Sequence, residues 1–428
     1  MTPEALARVM PSVSSVPRAA ADCPPQALRL ARIMAAITAF CLIGDTMLYI
    51  ALPLCWQQCG LDALWQVGVL LAVNRLVRLP LNPLVRRLYT RFSRRTGMLL
   101  AVLLAAGTTL LYGVAQSFAV WLLLRCLWGL AWTLLRLGAL FALAEASSKE
   151  NRGYLMGSYN GLVRLGSLAG MLGGGLLADL FGFSAVAVLF GLLTLLGLLP
   201  GLFCLPADGR PTAAQGREAG TLLVRRHLRL PAMRRIFATG FLVTLVFQGI
   251  YASSLSRMVA LHVGDLPLSG SLVLGCATLA GLLQALRWGW EPWLAPWFGR
   301  LSDGPRGRAP VLRACLVLAA VALGLVALPL PVPCWLALLL LSQACATGLS
   351  TLADAAASDT AMQHGHPTLT LSSYTFIADC GSAVGPVLAY ALQDWLGMDA
   401  AYVAASAMLL LLLICWRQTA ACGRGARD

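Results

Sequence analysis

Apolar residues in this chain come in long runs, interrupted at short intervals by clusters of charged, Gly and Pro residues. The runs are about 20 residues long, the length an α-helix needs to cross a bilayer core. They are too long and unbroken for the alternating strands of an outer-membrane barrel. Twelve spans follow, at roughly 29–52, 63–85, 97–115, 118–143, 153–178, 184–206, 236–262, 270–298, 310–330, 334–356, 369–393 and 400–417. Most connections are short, but 207–235 is long and divides the spans into two sets of six. The pattern predicts a disordered tail at 1–28, a six-helix bundle at 29–206, a linker at 207–235, a second bundle at 236–417 and a tail at 418–428. Residues 1–28 are rich in Ala, Pro and Ser and hold too few consecutive apolar residues for a signal-peptide core, so the first span is expected to remain uncleaved.

Composition agrees with the pattern. The chain has 428 residues, of which 59% are hydrophobic and only 12% charged. A water-soluble fold has nowhere to hide that much apolar surface. The net charge of +14 would point to nucleic acid in a soluble chain. Here topology explains it, and no nucleic-acid partner is expected. Arg86, Arg87, Arg91, Arg94 and Arg95 follow span 2, and Lys149 and Arg152 follow span 4. Arg225, Arg226, Arg229, Arg234 and Arg235 lie in the central loop, Arg300, Arg306 and Arg308 follow span 8, and Arg424 and Arg427 lie in the tail. The loops at 53–62, 112–117, 263–269, 331–333 and 394–399 have neither Lys nor Arg. Basic loops stay on the cytoplasmic side, so both termini are expected there, and the span count must be even. The bias of Arg over Lys favours a bacterial cytoplasmic membrane. Thirteen Cys are scattered, mostly within apolar runs. Cys55 and Cys59 lie near one helix end, close enough in sequence for either a disulfide or two thiols.

Span 5 carries Gly157, Gly166, Gly170, Gly174 and Gly175. Small residues three or four apart line one helix face and let two membrane helices approach closely. The spacing G-x8-G-x3-G-x3-G-G resembles the antiporter motif in the fifth helix of major facilitator superfamily exporters, with Met171 where that family has Pro. After span 8, Gly299, Leu301 and Asp303, followed by Arg306 and Arg308, resemble the same family's loop signature G-x-L-x-D with trailing basic residues. There, Gly is expected to let two helix ends meet, and Asp to pair with a basic residue or a helix N-terminus across the gate. The counterpart at 86–95 keeps Leu88, Arg91, Phe92, Arg94 and Arg95 but has Arg86, Thr90 and Ser93 in place of Gly, Asp and Gly. It reads equally as a plain basic loop. Tyr374, Gly381 and Gly385 lie 215 residues after Tyr159, Gly166 and Gly170, and the same shift lays Arg164 on Asp379. The resemblance and the repeat together imply an all-α polytopic membrane protein with 12 transmembrane helices in two pseudo-symmetric six-helix bundles that alternate access to a central site.

Charges inside apolar spans are costly and mark function by default. Span 4 has Arg125 and Gly129, resembling the Arg-x-x-x-Gly signature of proton-driven family members. Its expected partner is Asp45 in span 1. The pair reads either as a proton-coupling site, with Asp379 as a second candidate, or as a structural ion pair that never titrates. Arg75, Arg78, Arg125 and Arg164, with Asn74 and Gln248, are expected to shape the substrate cavity, whose positive balance favours carboxylate or phosphate groups. Arg136 is expected to reach the membrane interface. Arg287 and Glu291, spaced i,i+4, are expected to satisfy each other. Trp288, Trp290, Trp293 and Trp297 form either a substrate wall or a packing face, and the packing face fits slightly better. His364 and His366 are too few for a metal site and read as loop residues. Nothing resembles a nucleotide-binding loop, a metal cluster or a nucleophile elbow, so neither a cofactor nor enzymatic activity is expected.

The function that follows is a secondary carrier, monomeric in the lipid bilayer, exporting a small anionic or zwitterionic organic molecule or drug in exchange for protons. Uptake symport or anion exchange on the same fold, and a membrane receptor or assembly factor without transport, are the alternatives.

Overall fold

The computed structural model describes residues 24–147, 151–205, 230–269, 272–303, 307–363 and 367–422. Residues 207–229 of the expected central linker, most of the amino-terminal tail, Lys149, Arg306, His364 and His366 lie outside them. The amino-terminal half holds α1 (Pro25–Cys55), α2 (Leu64–Arg91), α3 (Arg94–Tyr112), α4 (Phe118–Ala146), α5 (Arg152–Phe181) and α6 (Phe183–Cys204, with a turn between Leu195 and Leu198). The carboxy-terminal half holds α7 (Pro231–His262), α8 (Cys276–Ser302), α9 (Arg308–Val326), α10 (Val332–Gln363), α11 (Pro367–Leu396) and α12 (Met398–Cys422). Eleven of these helices are long and apolar enough to cross a membrane by themselves, α8 being the exception. Its Arg287, Glu291 and Arg300 lower its apolarity; Arg287 is buried among neighbouring helices, whereas Arg300 is exposed at the basic face. Helices keep every main-chain hydrogen bond inside the segment, which a bilayer core demands. Leu123, Leu192, Leu318 and Leu411 point outward, as lipid-facing residues must.

Two details depart from the sequence reading. Residues 266–274, read as a loop and the start of span 8, form an antiparallel pair, β1 (Leu266–Ser269) and β2 (Leu272–Leu274), and α8 begins only at Cys276. In α7, residues Leu245–Tyr251 are wound as a π-helix, a form that is rare and concentrates at functional sites. Cys55 and Cys59 are both free thiols. Burial, and then the neighbouring Cys55, push the Cys59 thiol up to about 12.

The glycines of α5 explain how the halves are built. A Cβ on Gly166 would lie 2.5 Å from the Ala39 main chain, and one on Gly174 would lie 2.7 Å from Met47 Cβ. Gly170 sits equally tightly against Ile43 and Thr46. These glycines press α5 onto α1, backbone against backbone, inside one half. In α11, Gly381 and Gly385 do the same against Phe241 and Leu245 of α7. The 215-residue repeat is therefore visible as packing. The expected gate surface from Gly157 to Gly175 needs correction. Gly157 has open space around it, and of the five motif glycines only Gly175 meets the other half, at Ala277 of α8.

Between the halves, α2 packs on α11, α5 on α8 and α1 on α7. Gly68 of α2 abuts the Pro386 carbonyl, and Gly281 of α8 abuts the Met171 carbonyl, each with 2.6 Å to a built Cβ. Met171 and Pro386 are 215 residues apart, so the residue that departs from the family motif occupies the same seat as its proline counterpart. Both glycine contacts lie toward the helix ends away from the basic loops.

Candidate functional site: an arginine-lined cavity between the halves

A cavity of about 460 Å³ lies between the halves, with most of its wall from the amino-terminal half. It runs from Tyr49, Met171, Ala252 and Gln284 toward Leu140 and Met156, nearer the basic loops. Among the described residues five arginines line it, Arg75, Arg78, Arg136, Arg164 and Arg287, against one carboxylate, Asp45.

That carboxylate is already engaged. Asp45 Oδ1 accepts from Arg125 Nη1 at 2.5 Å and from Asn74 Nδ2 at 3.3 Å. Arg125 Nε donates to the Leu70 carbonyl at 2.9 Å. The two side chains are 6% and 0% exposed, so the charges neutralise each other in a site where neither stands alone. Gly129, four residues along α4, lets the Asn74 main chain come close, 2.9 Å from a built Cβ. The expected Asp45–Arg125 contact is thus present. Arg125 and Asn74, expected in the cavity wall, stand behind it instead, because both are turned toward Asp45.

Arg75 reaches across to the other half, donating to the Ser382 carbonyl at 2.7 Å and the Gln248 carbonyl at 3.3 Å. Its guanidinium also lies over the Tyr49 ring. Arg78 lies 5.0 Å from the Trp132 ring and 5.9 Å from that of Trp128. Its Nε has no hydrogen-bond partner among the described residues. A cation held only by ring faces and open to a cavity retains its donors for an incoming acceptor. Gln248 lines the cavity from the π-wound turn of α7.

Two expectations are corrected here. Arg136, exposed on α4, lines the cavity, a place the interface expectation did not give it. Glu291 does not pair with Arg287; it forms an ion pair across the halves with Arg164. Arg287, buried, donates only to the Phe247 carbonyl, at 3.3 Å. Helical spacing made Arg287 and Glu291 look self-sufficient, and only the approach of α5 to α8 offers Glu291 the better partner. Of the four tryptophans in α8, Trp288 lines the cavity, between Arg164 at 5.2 Å and Arg287 at 5.6 Å, whereas Trp293 and Trp297 face outward.

Asp379 is exposed on α11 and outside the cavity wall, within electrostatic reach of Arg78. At the basic face, Asp303 pairs with Arg308 at 3.4 Å and Arg308 with Asp359 at 2.6 Å, all in the carboxy-terminal half. Gly299 has open space around it, so it brings no second helix end close. Arg94 and Glu145 make the matching pair at 2.5 Å in the other half. Among the described residues, the loop signature makes its pairs within one half, and no latch across the halves is seen.

A family model described as Major Facilitator Superfamily matches residues 34–290. The chain belongs to the Major Facilitator Superfamily. It is accordingly a multi-pass membrane transporter. Among solved structures, it is similar to a bacterial homologue of the human lysosomal transporter Spinster, in two inward-facing forms. For the unoccupied form the TM-score is 0.70 at 16% identity, covering 93% of this chain and 96% of that one. For the occupied form it is 0.73 at 15% identity, covering 93% and 97%. At that identity the likeness shows the fold. No curated protein matches.

Proposed function

We propose that this superfamily member exports a small anionic or zwitterionic organic molecule from the cytoplasm in exchange for protons. The observation that carries the substrate class is the charge balance of the cavity: five arginines, and a single carboxylate already neutralised by Arg125. An acidic group entering this space meets guanidinium donors in a region of low dielectric, where such hydrogen bonds are strongest. Trp132, Trp288 and Tyr49 supply flat apolar walls for the rest of the molecule. Asp45 faces the same cavity, so a proton on Asp45 weakens its hold on Arg125 and couples protonation to the anion site. The basic loops and both termini are read as cytoplasmic, which makes the cavity inward-facing.

Exchange of one anion for another without protons is the second reading. It is favoured by the same pair, since a carboxylate held by both Arg125 and Asn74 is also a good structural fixture. Proteoliposomes loaded with a pH-sensitive dye, screened against organic anions and cations, decide between them. Proton-coupled export predicts that an anion drives proton flux and that Asp45→Asn abolishes it. Anion flux without proton movement gives the second reading, and flux with cations alone removes the anionic assignment.

A further inference from the structure

The face of the molecule opposite the basic loops is held shut by a contact that occurs twice. In α5, Asp179 Oδ2 accepts from the Thr278 main-chain N–H at 2.7 Å and from its hydroxyl at 2.6 Å. In α11, Asp394 Oδ2 accepts from the Trp65 main-chain N–H at 3.2 Å. Thr278 and Trp65 lie in the first turns of α8 and α2, each in the opposite half from its aspartate. First-turn N–H groups have no partner inside their own helix. Each aspartate thus caps a helix that belongs to the other half.

Sequence and backbone repeat with the contact. Asp394 lies 215 residues after Asp179, in the register that pairs Gly166 with Gly381. The stretches read Asp179-Leu-Phe-Gly182 and Asp394-Trp-Leu-Gly397, and both glycines have positive φ, 78° and 89°. That conformation favours Gly and stops each helix at the same place. An aspartate in the last turn of a helix opposes that helix's own dipole, whereas it favours the N-terminus of a helix facing it. Both residues therefore sit where they oppose their own helix and suit the one across the interface. Gly275, next to the first turn of α8, leaves room for the Asp179 carboxylate, which a side chain there would strike.

We propose that Asp179 and Asp394 are paired clasps that stabilise this closed face and release together when the halves rock. The main-chain partners ask for no particular side chain at Trp65 or Thr278, and one clasp falls on each seam, that of α5–α8 with two short bonds and that of α2–α11 with one of 3.2 Å. The proposal rests on alternating access between the halves and on neither the substrate nor the proton of the proposed function.

Hydrogen–deuterium exchange on the full-length protein in lipid nanodiscs tests it, without substrate. Asp179→Asn and Asp394→Asn should each raise the ratio of open to closed forms at this face about threefold, and together about tenfold. The signature is reciprocal: faster exchange at the clasped-face ends of α1 and α7, and slower exchange at the basic-face ends of α4, α5 and α10. Thr278→Val, which keeps the main-chain donor and removes the hydroxyl, should shift the same regions in the same direction by less. Faster exchange confined to the first turns of α2 and α8 in the double variant would mean local capping only and would overturn the proposal. So would an unchanged pattern.

Discussion

Two arginine–carboxylate pairs stand close to the cavity, and they do opposite things. Asp45–Arg125 joins α1 to α4 within one half, and both side chains are almost completely buried. Arg164–Glu291 joins α5 to α8 across the halves, with Arg164 46% exposed. A pair inside one bundle moves as a unit when the bundles rock, so rocking alone leaves it made, and in the proposed cycle a proton on Asp45 is what loosens it. A pair across the interface is made or broken by that motion. Burial and location thus separate a pair within one half that sets the charge of the cavity from a contact made and broken by the movement of the halves, though both read as membrane-embedded charges in the sequence.

The contrast is sharpest where one partner is removed. Arg125→Met leaves Asp45 in a dry site without its cation and should cost about 3–5 kcal/mol of stability. Thermal unfolding in detergent would report it, and adding Asp45→Asn to the same protein should restore part of the loss. Next in size is Arg78→Leu, which takes a free guanidinium from the cavity without disturbing a pair. It should weaken anion transport by roughly tenfold or more in KM, the scale of a lost charged hydrogen bond, while unfolding stays close to the parent's. Concentration dependence of uptake into proteoliposomes measures it. Glu291→Gln should change stability by less than about 1 kcal/mol, because its partner is largely solvated. Its effect belongs in turnover, and counterflow rates altered several-fold with little change in melting would place the pair at the moving interface. The smallest effect is expected at the basic face. Arg94→Ala removes a partly exposed pair with Glu145 inside one half and should shift unfolding by about 0.5 kcal/mol or less, the shift fading at high salt.

Much of this was readable before any coordinates. Span positions followed from the apolar runs, since a bilayer core imposes a minimum length on each. A close helix seam was implicit in Gly166, Gly170 and Gly174, though not that α1 is the partner, and the partnership of Asp45 with Arg125 in the scarcity of intramembrane carboxylates. The misplacements share one cause. Arg136, Glu291 and Gly299 were assigned from spacing along their own helix or loop, but their surroundings are set by a second segment distant in sequence. The clasps were overlooked for a related reason. Asp179 and Asp394 lie at span ends, where a charged residue is ordinary, and only the repeat of Asp-x-x-Gly in the 215-residue register marked them.

By itself, the sequence determined that the chain is a twelve-helix membrane protein with an internal repeat, because hydropathy, basic-loop asymmetry and glycine spacing are local properties that a bilayer reads directly. The tertiary structure decided which charges face the cavity, which partner each takes and which end of the interface is shut. Those depend on the rotation of every helix about its axis and on distances between residues hundreds of positions apart, and packing between helices, not any one helix, sets both.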